Sequence, residues 1–248
     1  MIVDGKEIAE DVLRALEAER SAFGVLTLGI VVSEGDKATE SFVKIKTRLA
    51  ERLGVVIVRC TPAEISKALA CDGVIVQLPI PDSETLLAAV PPQKDVDALG
   101  LSPIVHSPVA EAVAEILART GVNVSGKKSV VVGAGRLVGA PVAALLRELG
   151  ATVSVITQTE GSLGERADAD IVVLGAGKPG LVKPEMLKQG VALIDAGTSE
   201  SSGKLAGDAD PACAEAASVF TPVPGGVGPV AVAMIFKNLL TLAKMSKK

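Results

Sequence analysis

The sequence predicts an α/β protein of two lobes, an N-terminal α/β lobe and a C-terminal Rossmann-like lobe with a parallel sheet. Three observations carry this. Short aliphatic runs alternate with amphipathic helical patterns along the whole chain, the rhythm of βαβ units. The rhythm breaks at a turn-rich, charged stretch, Val90-Pro91-Pro92-Gln93-Lys94-Asp95-Val96-Asp97, and restarts at Gly126-Lys127-Lys128. At 248 residues the chain lies between one and two domains of about 150 residues.

The elements follow in order. Residues 1–20 read as a short strand and an amphipathic helix. Residues 25–32, 55–60 and 73–78 read as strands buried on both faces, with helices near 39–53, 63–71 and 83–90. Ser107 and Pro108 suit the N-cap and first residue of a helix over 108–120. In the second lobe, strands are expected at 129–132, 151–156, 171–174 and 192–194, with a short last one at 219–220. A helix is expected over 138–149, and a final helix over 229–246 packs back onto the first lobe. This places the first lobe at 1–120 with helix 229–248, and the second at 121–228, a cleft between them being the expected ligand site.

Composition narrows the function. Trp and Tyr are absent and Phe numbers 4, which disfavours nucleic-acid binding by base stacking. The net charge of −4 has the wrong sign for gripping a phosphate backbone. His106 is the lone histidine, so a His-rich metal site and a Ser-His-Asp hydrolase are both disfavoured, and no metal is expected. Cys60, Cys71 and Cys213 show no CxxC spacing and read as buried thiols in a reducing compartment. No run of about 18 uncharged apolar residues appears, and the N-terminus resembles neither a signal nor a transit peptide. A cytoplasmic protein without membrane or nucleic-acid partners is expected.

The clearest cofactor signal is Gly133-Ala134-Gly135-Arg136-Leu137-Val138-Gly139, between a predicted strand and a predicted helix. Glycines there allow a tight turn and close approach of backbone N–H groups to a pyrophosphate at a helix N-terminus. The next strand ends at Ile156-Thr157-Gln158-Thr159, with no carboxylate before Glu160 to hold a ribose 2′-hydroxyl. Arg136 is placed to meet a 2′-phosphate, so NADP is favoured over NAD.

A second set of motifs points to chemistry. In the stretch 38–46, Phe42, Ile45, Leu49 and Leu53 form the expected apolar stripe of a helix, with Lys46 at its edge. Gln77-Leu78-Pro79 follows a strand, at the end where open sheets bind ligands. Lys94-Asp95-Val96-Asp97 comes next, and Thr221-Pro222-Val223-Pro224-Gly225-Gly226-Val227-Gly228-Pro229 lies near the C-terminus. In this order, with Asp4-Gly5-Lys6, Ile194-Asp195-Ala196-Gly197 and Gly207-Asp208-Ala209-Asp210, the motifs resemble the bifunctional methylenetetrahydrofolate dehydrogenase/cyclohydrolase family over nearly the whole chain.

The resemblance implies oxidation of 5,10-methylenetetrahydrofolate to the methenyl cation with NAD(P), then hydrolysis to 10-formyltetrahydrofolate. It implies that Lys46 manages the proton of hydrolysis, that Gln77 orients it, and that Asp97 grips the pterin ring. Phe42, Pro224, Gly228 and Pro229 fall at folate-bordering positions. Residues 133–139, Thr157 and Thr198 fall at cofactor-contacting ones. It also implies a homodimer. The chain departs from the family at four places: Phe42 replaces a Tyr, Gly133-Ala134-Gly135 a Gly-Arg-Ser, Thr157-Gln158 a His-Ser, and His106 a Cys. The lost hydroxyl at 42 leaves a monofunctional dehydrogenase open; a non-catalytic folate-binding homologue is the rival of another class.

Overall fold

The computed structural model describes residues 1–33, 37–157, 168–201 and 204–246. Two compact units emerge: Met1–Glu10 with Val109–Ala231, and Asp11–Pro108 with Val232–Lys248.

The second of these units holds a three-stranded parallel sheet of β1 (Leu26–Val31), β2 (Val55–Cys60) and β3 (Gly73–Val76), in the order β2-β1-β3. Helix α1 (Gly5–Arg20) precedes β1, and α2 (Lys37–Arg52), α3 (Ile65–Leu69) and α4 (Ser83–Ala89) alternate with the strands. β1 and β3 are almost wholly buried, as parallel strands covered on both faces should be. β2 departs from that expectation: it is the sheet's edge, and Val56 and Arg59 are exposed. The segment after α4 returns beside β3 through a bridge between Val74 and Asp95, so the Lys94–Asp97 motif passes beside the strand that leads to Gln77.

The other unit holds a five-stranded parallel sheet of β4 (Lys128–Val132), β5 (Thr152–Ile156), β6 (Ile171–Leu174), β7 (Val191–Asp195) and β10 (Ala217–Phe220). Its order, β10-β7-β6-β4-β5, reverses direction between β4 and β6. In doubly wound sheets that reversal opens a crevice at the strands' carboxyl ends, where ligands bind. Helix α5 (Pro108–Arg119) leads into this sheet and α6 (Gly139–Glu148) joins β4 to β5. A small hairpin, β8 (Ser199–Ser201) and β9 (Lys204–Ala206), and the short α7 (Cys213–Ala216) follow β7. The strand expected at the N-terminus is a single bridge from Ile2 to Phe220, too short for a ladder of its own.

Helix α8 (Val227–Ser246) is, by length and composition, apolar enough to cross a membrane. Its side chains are mostly spent on the core: Val230, Ala233, Met234, Phe236, Leu239, Leu240 and Leu242 are all buried. Gly73 permits that packing, since a Cβ there would lie 2.6 Å from Leu239 and 2.7 Å from Val96. All three cysteines are free and buried.

Candidate active site

Helix α2 turns a different face to the core than the sequence pattern suggests. Thr39, Val43, Lys46, Ala50 and Leu53 are buried, while Phe42 and Ile45 are exposed at 46% and 47%. The buried set recurs at steps of four and three, a regular helical stripe. Lys46 therefore lies within the core-facing stripe instead of at its edge, and is only 7% exposed.

A buried ammonium must find an acceptor. Lys46 Nζ donates to Gln77 Oε1 at 2.6 Å. Gln77 follows β3 directly, and its backbone N–H donates to Val31 O at 2.9 Å, extending the pairing with β1. Gln77 Nε2 donates to Leu78 O at 3.1 Å. That second bond fixes the amide with its oxygen toward the lysine.

Asp97 completes the group from the neighbouring turn. It is half-buried and acts electrostatically on Lys46. Burial pushes the Lys46 ammonium below its ordinary pKa, with Asp97 opposing the shift. Burial pushes the Asp97 carboxyl up, with Lys46 opposing. Desolvation thus outweighs the mutual attraction on both sides, which favours the neutral form of each.

Asp95 holds this turn, a role the sequence reading did not assign. Its buried carboxylate accepts the Gly100 N–H at 2.7 Å, across a turn in which Ala98 is left-handed at φ 54. The adjoining chain is anchored twice more: Lys94 Nζ donates to Leu69 O at 2.7 Å, and Asn238 Nδ2 to Val96 O at 2.9 Å. The signal available in sequence was the spacing of two carboxylates one residue apart. The carboxylate of Asp95 is tied into the fold, and that of Asp97 interacts electrostatically with the lysine.

The 133–139 turn joins β4 to α6. Gly133 is left-handed at φ 103, and a Cβ there would lie 2.5 Å from Gly175 O. A Cβ on Gly139 would lie 1.9 Å from Gly133 O, so the helix start presses directly on the turn. Around Gly135 there is open space, and Ala134, Gly135, Arg136 and Leu137 are exposed. Val138 turns inward against Gly175. A turn with bare backbone outward, at a helix N-terminus beside the sheet's reversal point, fits a dinucleotide pyrophosphate. Thr157 is half-buried at the end of β5, and Thr198 is exposed beyond β7. Gln158 and Glu160 lie outside the described residues.

Pro224 is exposed, and Gly228 and Pro229 occupy the first turn of α8. Their loop is tied to the N-terminus: Gly5 N donates to Gly225 O at 2.9 Å, and a Cβ on Gly5 would lie 1.8 Å from Gly226 O. The structure thus brings Lys46, Gln77 and Asp97 together in one unit, and places 133–139, Thr157, Thr198 and the 222–229 loop on the other. A cavity of about 390 Å³ lined by Ala114, Ala118, Asn123 and Leu149 holds none of these residues.

A family model described as the NAD(P)-binding domain of tetrahydrofolate dehydrogenase/cyclohydrolase matches residues 107–247. A bifunctional protein FolD of Halothermothrix orenii is 37% identical over 98% of this chain and 98% of its own. The crystal structure of the bifunctional enzyme FolD of Campylobacter jejuni superposes with a TM-score of 0.91 at 28% identity, covering 99% of each chain. The methylenetetrahydrofolate dehydrogenase-cyclohydrolase of Trypanosoma brucei, solved with NADP and an inhibitor, gives 0.91 at 32% identity, covering 100% of this chain and 98% of its own. With a family model across more than half of its length and relatives matching it end to end, the chain belongs to the tetrahydrofolate dehydrogenase/cyclohydrolase family.

Proposed function

We propose that this protein oxidises 5,10-methylenetetrahydrofolate with NADP and hydrolyses the resulting methenyl cation to 10-formyltetrahydrofolate, in one-carbon metabolism. The observation that carries the reading is the 2.6 Å bond from a buried Lys46 to Gln77. An exposed lysine is fully protonated near neutrality and is no base. A desolvated one holds a neutral fraction, and a cationic substrate beside it enlarges that fraction. As water adds to the methenyl carbon, the Nζ lone pair takes the proton that the water loses. Gln77 keeps Nζ from rotating away. Asp97 offers acceptor oxygens to the N–H donors of the pterin. Phe42, exposed one helical turn before Lys46, flanks the aminobenzoyl group, and Pro224, Gly228 and Pro229 border the folate.

The dinucleotide, when bound, accepts a hydride. The 133–139 turn would hold its pyrophosphate by backbone N–H groups, with Thr157 and Thr198 nearby along the sheet's carboxyl edge. NADP is favoured over NAD because Arg136 is exposed on that turn and β5 is followed by Thr157 and Gln158, with no carboxylate before Glu160. On this reading 1–120 with 229–248 carry the folate and 121–228 the dinucleotide. We further propose a cytoplasmic homodimer, on the three buried thiols and on edge strand β5, where Val153, Ser154 and Val155 are partly exposed.

Steady-state kinetics with methylenetetrahydrofolate and each nicotinamide cofactor, with product identification, test the reading. Turnover with NADP ending at 10-formyltetrahydrofolate is the expected result. A product trail ending at the methenyl stage leaves a monofunctional dehydrogenase, and no turnover leaves a folate-binding homologue.

A further inference from the structure

Two carboxylates are buried next to each other at the carboxyl ends of β6 and β7. Asp208 has no exposed surface, and Asp195 has 2%. Among the described residues neither makes an ion pair. Each is instead saturated by backbone. Asp208 accepts the N–H groups of Ala176, Gly177 and Lys178 at 2.6, 3.0 and 2.6 Å. Asp195 accepts those of Gly197, Asp208 and Ala209 at 2.9, 3.2 and 2.8 Å.

Three consecutive amides around one carboxylate form an anion nest that the protein fills with its own side chain. The packing leaves no slack. A Cβ on Gly197 would lie 2.2 Å from Asp208 Cγ, and one on Gly207 would lie 2.2 Å from Asp195 Oδ2. Burying a carboxylate is costly even when hydrogen-bonded, so apolar residues could have filled a mere core position more cheaply. What these two carboxylates hold is a loop.

That loop, residues 175–178, leaves β6 on the opposite side of the sheet's reversal point from the 133–139 turn, which leaves β4. The two press together. Gly133 faces Gly175 O with room for no side chain, and a Cβ on Gly175 would lie 2.4 Å from Val138 Cγ1. The shape of the turn therefore depends on where the 175–178 backbone stands, and Asp208 sets where it stands.

We propose that Asp208 is a positioning residue of the dinucleotide site. It fixes the 175–178 loop as the wall against which the 133–139 turn closes, and Asp195 fixes Asp208 through its backbone amide. The proposal rests on the dinucleotide reading above. Asp208 touches neither cofactor nor folate; it acts through the loop, so it governs cofactor affinity and leaves folate chemistry at Lys46 alone.

Asp208→Asn keeps the shape but turns an NH₂ group toward one of the three amide donors. The chain has no Trp or Tyr, so NADPH fluorescence reports binding without protein background. The variant is expected to raise the NADPH Kd and the NADP KM about tenfold, since small misplacements of a binding wall are costly. Saturated kcat, and hydrolysis of methenyltetrahydrofolate without nucleotide, should stay within about twofold. Gly177→Ala strains the same loop at its exposed, left-handed tip (φ 67) while leaving both carboxylates unchanged, its Cβ meeting only Ser199 Oγ at 3.9 Å, and should raise the Kd in the same direction by less. An unchanged Kd in Asp208→Asn overturns the proposal. So does parallel loss of binding and hydrolysis in Asp208→Asn together with an unchanged Kd in Gly177→Ala. Wild-type protein that binds neither NADPH nor NADH removes instead the dinucleotide reading beneath it.

Discussion

The Lys46 site and the 133–139 turn solve opposite problems. Around Lys46, chemistry is carried by side chains taken out of water and hydrogen-bonded to one another, each on or beside a regular element. At the turn, Gly135 bares its backbone to solvent, and Gly133 and Gly139 lack side chains so that the turn can close tightly beneath it. The first site works by shifting a protonation state, which needs burial. The second works by offering oriented N–H dipoles, which needs access. One region should therefore fail by changes of charge and the other by changes of bulk.

The largest expected effect is at the buried side. Lys46→Met keeps the stem and removes the base. Hydrolysis of methenyltetrahydrofolate should fall by about 10²–10⁴-fold, the range ordinary for a lost general base. Nucleotide affinity, read by NADPH fluorescence, should not move, because the turn belongs to the other unit. Equal loss of both would make Lys46 a structural residue and erase the contrast.

Bulk at the turn comes next. Gly133→Val places a branched side chain on a left-handed residue whose Cβ site is 2.5 Å from Gly175 O. Strain of about 1–3 kcal/mol from the backbone alone must be relieved by moving the turn. NADP KM should rise by about 10–100-fold while nucleotide-free hydrolysis persists. A variant that binds NADP normally would show that the pyrophosphate lies elsewhere.

A smaller, signed effect sharpens the charge argument. Gln77→Glu sets a carboxylate 2.6 Å from Nζ in place of an amide. That favours the ammonium and raises the Lys46 pKa, against the lowering that burial causes. The base must be neutral, so the rate rises with pH through the Lys46 pKa. The variant's hydrolysis profile should move to higher pH, with about tenfold loss at neutrality that more alkaline buffer recovers, until spontaneous hydrolysis dominates. A profile reduced equally at every pH would mean that Gln77 acts by shape, not charge.

The contrast also explains what was legible in the sequence. The turn was readable because glycine at fixed spacing after a strand has a direct geometric meaning, which the φ of 103 at Gly133 bears out. Both sheets were readable because their strands are runs of Val, Ile and Leu, as in Ile171–Leu174. The burial of Lys46 was not. The pattern Phe42, Ile45, Leu49, Leu53 is as periodic as the stripe that is buried, and only tertiary packing chose the face holding Thr39 and Lys46. Asp195 and Asp208 were equally hidden, because their partners are backbone amides from distant loops, which leave no mark in residue type. The edge position of β2 follows from strand order, which a local pattern does not encode.

Phe42 gives the smallest expected effect and bears on the surplus of exposed apolar surface that this choice of face created. A phenyl ring 46% exposed on a helix, one turn from a buried lysine, offers apolar area that a ligand covering it would take out of water. On the proposed function the aminobenzoyl group does so, and the ring lacks only a hydroxyl. Phe42→Tyr adds that group one turn before Lys46, at the i, i+4 spacing where side chains on adjoining parts of a helix surface can meet. A single new hydrogen bond is worth about 0.5–1.5 kcal/mol, so hydrolysis should gain about two- to tenfold, with NADP KM unchanged. The folate KM separates the roles: if it rises while hydrolysis stays flat, the position is only a wall for the substrate and Lys46 needs no help from it. A gain in hydrolysis at constant folate KM would show that the lysine site is functional but under-supplied with donors in the native chain.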